Sequence, residues 1–356
     1  MLCYCFYDNF EKGNNIKGII VEMQKKKIFG KIAVIALLIF AVWFYRDSMQ
    51  DILWGIRQIT AKQIVICMIL ATIYFLLDGA LILLAAREFN RKCRGKDAVA
   101  TTFLCEFYRL ITLGSGACFA EILYVTKSGT TASQATASGV YKYTLKKSSI
   151  FIFGLFGCVY LFARNHTREM ISSYSLFIII ATTICLGIII VLVLISISEK
   201  FSNMLVWLLK VLAKKISFVK KNEEEWMNYI KCLSVEGRTL WKNKRKSMSM
   251  LGINLLKCLV IYSVVVVILS GNGVLSWFDI IAIMAASYFL AGVIPAPSGV
   301  MSLEFVYGLL MGPFLAVGVS VPAILTFRFF TWIYPAVIGG LFKLLYRGWN
   351  STSAPL

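Results

Sequence analysis

The chain has a single histidine, His166, in 356 residues. That scarcity excludes most chemistry resting on imidazole, including Ser-His-Asp triads, histidine metal centres and histidine-ligated haem. Its ten cysteines are scattered, mostly inside apolar runs, and Cys3 and Cys5 form the only close pair. Neither a disulfide framework nor a CxxC metal site fits that spacing, so no catalytic residue, metal or cofactor is expected. Negative charge is scarce as well, with 18 Asp and Glu against 37 Lys and Arg and a formal net charge of +19. The basic residues lie between apolar runs and form no basic-aromatic module. Topological sorting and anionic headgroups account for them, and direct binding of nucleic acid is not expected. Apolar surface is what the chain has in excess, with 59% hydrophobic and 15% charged residues. Such a composition does not suit a soluble globule and indicates an all-α polytopic membrane protein.

Full spans are read at 28-46, 63-86, 148-163, 174-198, 251-270 and 315-342, about six in all. Two further apolar segments, 98-126 and 277-312, are interrupted at Gly114-Ser115-Gly116 and at Pro295-Ala296-Pro297-Ser298-Gly299. Glycine imposes no side-chain restraint and proline removes a backbone donor, so neither segment runs as one straight helix. Each is expected to fold back as a re-entrant helical hairpin, with Pro295 and Pro297 shaping the second. Broken backbone at membrane depth has to be buried in protein or face a wet cavity.

With the N-terminus inside, 28 Lys and Arg fall on the inner side and 5 on the outer. This asymmetry predicts a multi-pass protein of the cell (cytoplasmic) membrane with both termini inside. The halves 28-163 and 174-342 then carry the same elements in opposite orientation, an inverted-topology repeat. The organisation expected is a cytoplasmic segment 1-27, a single transmembrane domain 28-345 and a tail 346-356. The inner loop 199-250 interleaves Trp207, Leu208 and Val211 with Lys210 and Lys214, the pattern of an amphipathic helix on anionic lipid. Residues 47-62 are expected to form a shorter interfacial helix on the opposite side.

The pattern S-G-x-x-x-x-E-x-x-Y occurs twice, at Ser115, Gly116, Glu121 and Tyr124 and at Ser298, Gly299, Glu304 and Tyr307. Both copies fall at the break of a hairpin. A carboxylate or guanidinium in hydrocarbon costs about 2.5 to 3.5 kcal/mol even on lenient scales, so Asp78, Glu106, Arg109, Glu121, Glu304 and Arg328 require partners or a function. Arg109 follows Glu106 by three residues and is placed for an i,i+3 ion pair. The free N-terminus of each returning half-helix suits an anion, and Arg109, Ser115, Gly116, Glu121, Ser298, Gly299, Glu304 and Arg328 form the expected substrate-binding set. For Glu121 and Glu304 four roles stay open: pairing with Arg109 and Arg328, accepting an ammonium headgroup, carrying a proton, or bracing the hairpin. Asp97 and Asp279 are expected to cap the helices that lead into the two breaks, and Lys142, Lys146 and Lys147 to anchor the inner boundary.

Residues 291-342 place Pro295, Pro297 and Gly299 ahead of Glu304, then Arg328, Trp332, Tyr334 and Pro335 in the last span. This pattern resembles the C-terminal half of the lysylphosphatidylglycerol synthase/flippase transmembrane family. The stretch YRLITLGSGACFAEILYVTKSGTTASQATASGV is similar to that family's first hairpin, with Leu113 and Cys118-Phe119 departing from its usual Thr-Pro and Gly-Gln-Pro types. The resemblance implies a flippase-like lipid translocator that moves an anionic or aminoacylated phospholipid, such as lysylphosphatidylglycerol, between leaflets. It covers the membrane unit without the soluble lysyltransferase domain, so transferase activity is not expected from these residues alone. Two alternatives stand beside it: a membrane component of a phosphatidylglycerol lysyltransferase or other lipid-modifying transferase, and a polyprenyl-phosphate carrier. The implied partners are the phospholipid and either a separate synthase or a second copy of the chain.

Overall fold

The computed structural model describes residues 49–112, 114, 116–215, 223–271, 273–294, 296 and 301–345. Every regular element among them is helical: α1 Met49–Arg57, α2 Ala61–Ala86, α3 Gly95–Ile111, α4 Gly116–Lys127, α5 Ala132–Ala163, α6 Asn165–Ser173, α7 Ser175–Ile197, α8 Glu199–Lys215, α9 Glu223–Lys242, α10 Lys244–Leu269, α11 Trp277–Ala291, α12 Ser302–Met311, α13 Val317–Arg328, a π-turn Phe329–Ile333, and α14 Tyr334–Leu345. Five of the described helices are long and apolar enough to cross a membrane: α2, α5, α7, α10 and the continuous run Val317–Leu344. The expected span 28-46 and the terminal segments 1-27 and 346-356 lie outside the described residues. The protein is a multi-pass, all-helical membrane protein.

Polar boxes set where the helices begin. The hydroxyl of Thr60 accepts from the Gln63 amide while the Gln63 side chain accepts from Thr60, and the same reciprocal arrangement opens α5 at Thr131 and Gln134 and α11 at Ser276 and Asp279. Each box satisfies amide donors that have no partner inside the helix. The expectation for Asp279 therefore holds, whereas Asp97 sits in the first turn of α3 and no side chain caps that helix. The box at Thr131 also moves a boundary. The span read from 148 begins at Ala132, because the low-hydropathy stretch before it is already helix. Likewise α10 starts at Lys244, capped by Asn243, and the segment read as the loop 199-250 holds two helices, α8 and α9. The apolar side of α8 leaves Trp207 exposed, while α9 packs on α5 and α7. The expected short helix near 47-62 is α1, which packs on α13.

Both interrupted segments are broken where expected and fold back, α3 onto α4 and α11 onto α12. At the first break the chain passes through Gly114 with φ of 106°. At the second, Met301 holds a left-handed φ of 67° just before α12. Packing between the halves is reciprocal. The first hairpin helix α3 lies along the last helix α14, the second hairpin helix α11 lies along α5, and α2 pairs with α10. Two of these crossings depend on glycine. A Cβ on Gly157 of α5 would stand 2.7 Å from the Ala282 carbonyl oxygen of α11, and a Cβ on Gly339 of α14 would overlap the Phe103 carbonyl of α3. Lipid gives helices no hydrophobic reason to associate, so this close backbone approach supplies the contact. The largest core cluster, with Phe289, Tyr262, Tyr307 and Phe327, fills the space between α5, α10, α11, α12 and α13. On α7 most exposed side chains, Leu176, Ile179 and Ile184 among them, are apolar, as a lipid-facing surface requires, and the exposed Thr183 hydroxyl is satisfied by the Ile179 carbonyl.

Gly339→Val is expected to force α14 away from α3 and cost about 1 to 3 kcal/mol, the usual penalty for overpacking. A lower melting temperature in detergent, without loss of helicity by circular dichroism at low temperature, is the expected readout. Gly252→Val, at a position where nothing lies within 4 Å of an added Cβ, should leave the melting temperature nearly unchanged.

Candidate functional site

Helical spacing brings ionisable side chains from four elements to one place. On α2, Tyr74 and Asp78 are four apart and share a face. On α5, Gly139, Lys142, Tyr143 and Lys146 share another. The hairpin contributes Glu106 and Arg109 from α3 and Glu121 from α4. Together these residues line a cavity of about 370 Å³, with Ile82 and Ile122 in its apolar lining.

Most of the charges are paired, and the pairs connect. Asp78 is the shared member: one carboxylate oxygen meets the Lys257 ammonium from α10, and the other lies 3.7 Å from Lys142. Lys142 in turn holds Glu121 at 2.9 Å. Lys257, only 2% exposed, also stands over the Tyr74 ring at 4.9 Å. Glu106 and Arg109 form the i,i+3 pair expected from their spacing, with Arg109 Nη1 2.7 and 2.8 Å from the two carboxylate oxygens. Among the described residues Lys146 has no carboxylate within 4 Å, and it lines the cavity.

A second charge group belongs to the other half. Arg328, the last residue of α13, donates from Nε to Glu304 Oε1 at 2.6 Å and from Nη2 to Oε2 at 2.8 Å. This two-point fork has the geometry that arginine offers and lysine does not. The guanidinium also stacks over Trp332 at 4.9 Å. Glu304 stands in the first turn of α12, where backbone N–H groups have no intrahelical acceptor and the helix dipole favours an anion. Arg328 is followed by the π-turn, in which the Tyr334 amide donates to the Phe329 carbonyl, a wider step ahead of Pro335, whose ring nitrogen has no hydrogen to donate. Tyr288, in ring contact with Phe327 and Tyr262, lies between the two groups, within electrostatic reach of Arg328, Glu304 and Arg109.

The residues singled out in the sequence are thus divided among several settings. Arg109 and Glu121 line the cavity, and Gly116 begins α4 outside that lining. Glu304 and Arg328 meet each other elsewhere in the bundle. Ser115, Ser298, Gly299, Pro295 and Pro297 lie outside the described residues. One role left open for Glu121 is settled and two expectations are corrected. Glu121 pairs with Lys142 rather than with Arg109, because Glu106 on the same helix already occupies the guanidinium. Lys142 and Lys146 are cavity residues rather than boundary anchors, since α5 extends back to Ala132 and carries them inward. The Gly116 amide is not free, because Thr112 Oγ1 accepts from it at 2.6 Å. Lys142, Lys146 and Lys257 are members of the charge group that sequence reasoning missed. The box T-x-x-Q at Thr131 was the available signal, because it starts the helix early and turns Lys142 and Lys146 to the same side. Among the described residues, no three His, Cys, Asp or Glu side chains gather as a metal site.

A family model described as the lysylphosphatidylglycerol synthase TM region matches residues 28–339. Neither the curated proteins nor the solved structures gave a match.

Asp78→Asn should destabilise the protein by about 3 to 5 kcal/mol, because it leaves the Lys257 ammonium buried without its counter-charge. Adding Lys257→Met should recover most of that loss, since the apolar replacement has nothing left to compensate. Thermal unfolding of both variants in the same detergent checks the coupling, and additive losses would argue against a shared ion pair.

Proposed function

The chain belongs to the lysylphosphatidylglycerol synthase transmembrane family, and on that premise we propose that it is a lipid translocator carrying a phosphate-bearing headgroup between leaflets. The observation that carries this reading is the cavity of about 370 Å³, walled by charged side chains inside an otherwise apolar bundle. A bundle that only had to hold itself together would not need these charges, each of which is costly in hydrocarbon. Its volume accommodates a headgroup while leaving the acyl chains in lipid.

In this reading the two halves are an inverted repeat in the cytoplasmic membrane, with both termini inside and both broken segments re-entrant. The headgroup phosphate rests against Lys146, with the paired cations Arg109 and Lys142 in the wall beside it. Ser115, Gly116, Ser298 and Gly299 are proposed to meet the headgroup as it passes. The Glu304–Arg328 fork occupies the corresponding place in the second half and is its closed form. Opening it frees Arg328 for the phosphate while Glu121 and Lys142 retain each other, so the two half-sites alternate. A separate synthase, or a second copy of the chain, is the partner proposed to deliver the lipid.

Leaflet exchange tests the reading. Fluorescent phosphatidylglycerol and lysylphosphatidylglycerol are followed in liposomes containing the purified protein, with Arg328→Ala and Arg328→Lys alongside. Exchange above protein-free liposomes is expected, slowed by about tenfold or more in Arg328→Ala, with Arg328→Lys failing to restore it because lysine cannot form the fork. A folded protein that exchanges no lipid would overturn the reading, and unchanged exchange in Arg328→Ala would remove that residue from it.

A further inference from the structure

The charge count around the cavity is uneven. Asp78, Glu106 and Glu121 face Arg109, Lys142, Lys257 and Lys146. Every carboxylate has a cation, and three of the cations have a carboxylate. Lys146 is left over: among the described residues no carboxylate lies within 4 Å of it, and its electrostatic neighbours are the cations Lys257 and Arg109 as well as the more distant Asp78 and Glu106. Lys146 sits one helical turn beyond Lys142 on the same face of α5, so its ammonium is presented to the space where a headgroup would sit. With these groups ionised, the cavity's side chains sum to one positive charge in excess.

Resting on the translocator reading, we infer that this cavity selects a headgroup of net charge −1, a phosphodiester with no ammonium of its own, and that Lys146 is the residue that sets the preference. A monoanion brings the buried charges to balance, which is the condition under which an ionic cluster in a low-dielectric bundle is tolerated. A zwitterionic headgroup leaves the excess in place. A lysylated headgroup, with net charge +1, doubles it and sets a second ammonium against four cations. Lys142 cannot take the role, because Asp78 and Glu121 already occupy it. Arg109 is likewise held by Glu106.

Direct binding separates this inference from transport. The purified chain in detergent is titrated with phosphatidylglycerol, phosphatidylethanolamine and lysylphosphatidylglycerol, and native mass spectrometry counts the bound lipid. Inorganic phosphate and soluble glycerophosphoglycerol are added as competitors. The wild type is expected to favour phosphatidylglycerol over lysylphosphatidylglycerol by about tenfold or more, the scale of one charge-assisted contact. Lys146→Gln should compress that ratio to about threefold or less, and Lys146→Glu should invert it. Lys147→Gln, which changes a lysine outside the cavity lining, should leave it unchanged. A wild-type protein that binds the three lipids equally or prefers the lysylated one overturns the inference without need of any variant, as does a Lys146→Gln protein that keeps the full ratio. Competition by inorganic phosphate at concentrations where glycerophosphoglycerol has no effect would also overturn it, by making free phosphate the ligand. Preference without leaflet exchange would remove the translocator reading and leave the charge selection standing. Exchange without preference would do the reverse.

Discussion

Asp78 is the residue on which the polar interior depends. It is one carboxylate between two ammonium groups, Lys257 from α10 and Lys142 from α5, and it lies on α2. Water would solvate each of these charges cheaply, whereas hydrocarbon would not, so the three helices can approach only if the charges arrive together. The chain continues through Lys142 to Glu121, which ties the returning helix of the first hairpin to the same centre. Specific electrostatics thereby join four helices at one centre, apart from the Glu304–Arg328 fork of the other half.

How much of this could be read from the sequence depended on distance along the chain. The breaks at Gly114 and between α11 and α12, the pairing of Glu106 with Arg109 three residues later, and the long apolar helices follow from local chemistry. The partnership of Glu304 with Arg328 was one of four roles that the sequence left open, and the structure supplies the contact. Pairings between distant polar residues were not legible in the same way. Lys257 belongs to a span that reads as merely apolar, and nothing in the chain near Asp78 indicates that a residue far downstream will meet it. Lys142 and Lys146 were misplaced because hydropathy treats a polar helix lining a wet space and a solvated loop alike. The two tyrosines of the repeated pattern proved plain: Tyr124 and Tyr307 are buried core residues.

The two copies of S-G-x-x-x-x-E-x-x-Y also show how one pattern can serve two electrostatic settings. Glu121 is bound to a flexible point charge, Lys142, beside an open cavity. Glu304 is bound to a planar guanidinium in a two-point fork that an indole ring covers from the side. A point charge permits its partner to turn and share, as Lys142 does with Asp78. A fork does not, since both oxygens are committed at fixed angles. The difference between the halves is therefore one of stiffness as much as of residue type.

The crossings at Gly157 and Gly339 carry a mechanical consequence. Each hairpin helix is seated on a helix of the opposite half, with backbones in close approach at the glycines and the ring contacts Phe103–Phe342 and Phe151–Phe289 beside them. The halves are thus clasped like crossed forearms, each holding the other's elbow. A rotation of one half as a self-contained block would have to break both grips, together with the Asp78–Lys257 pair that joins α2 to α10.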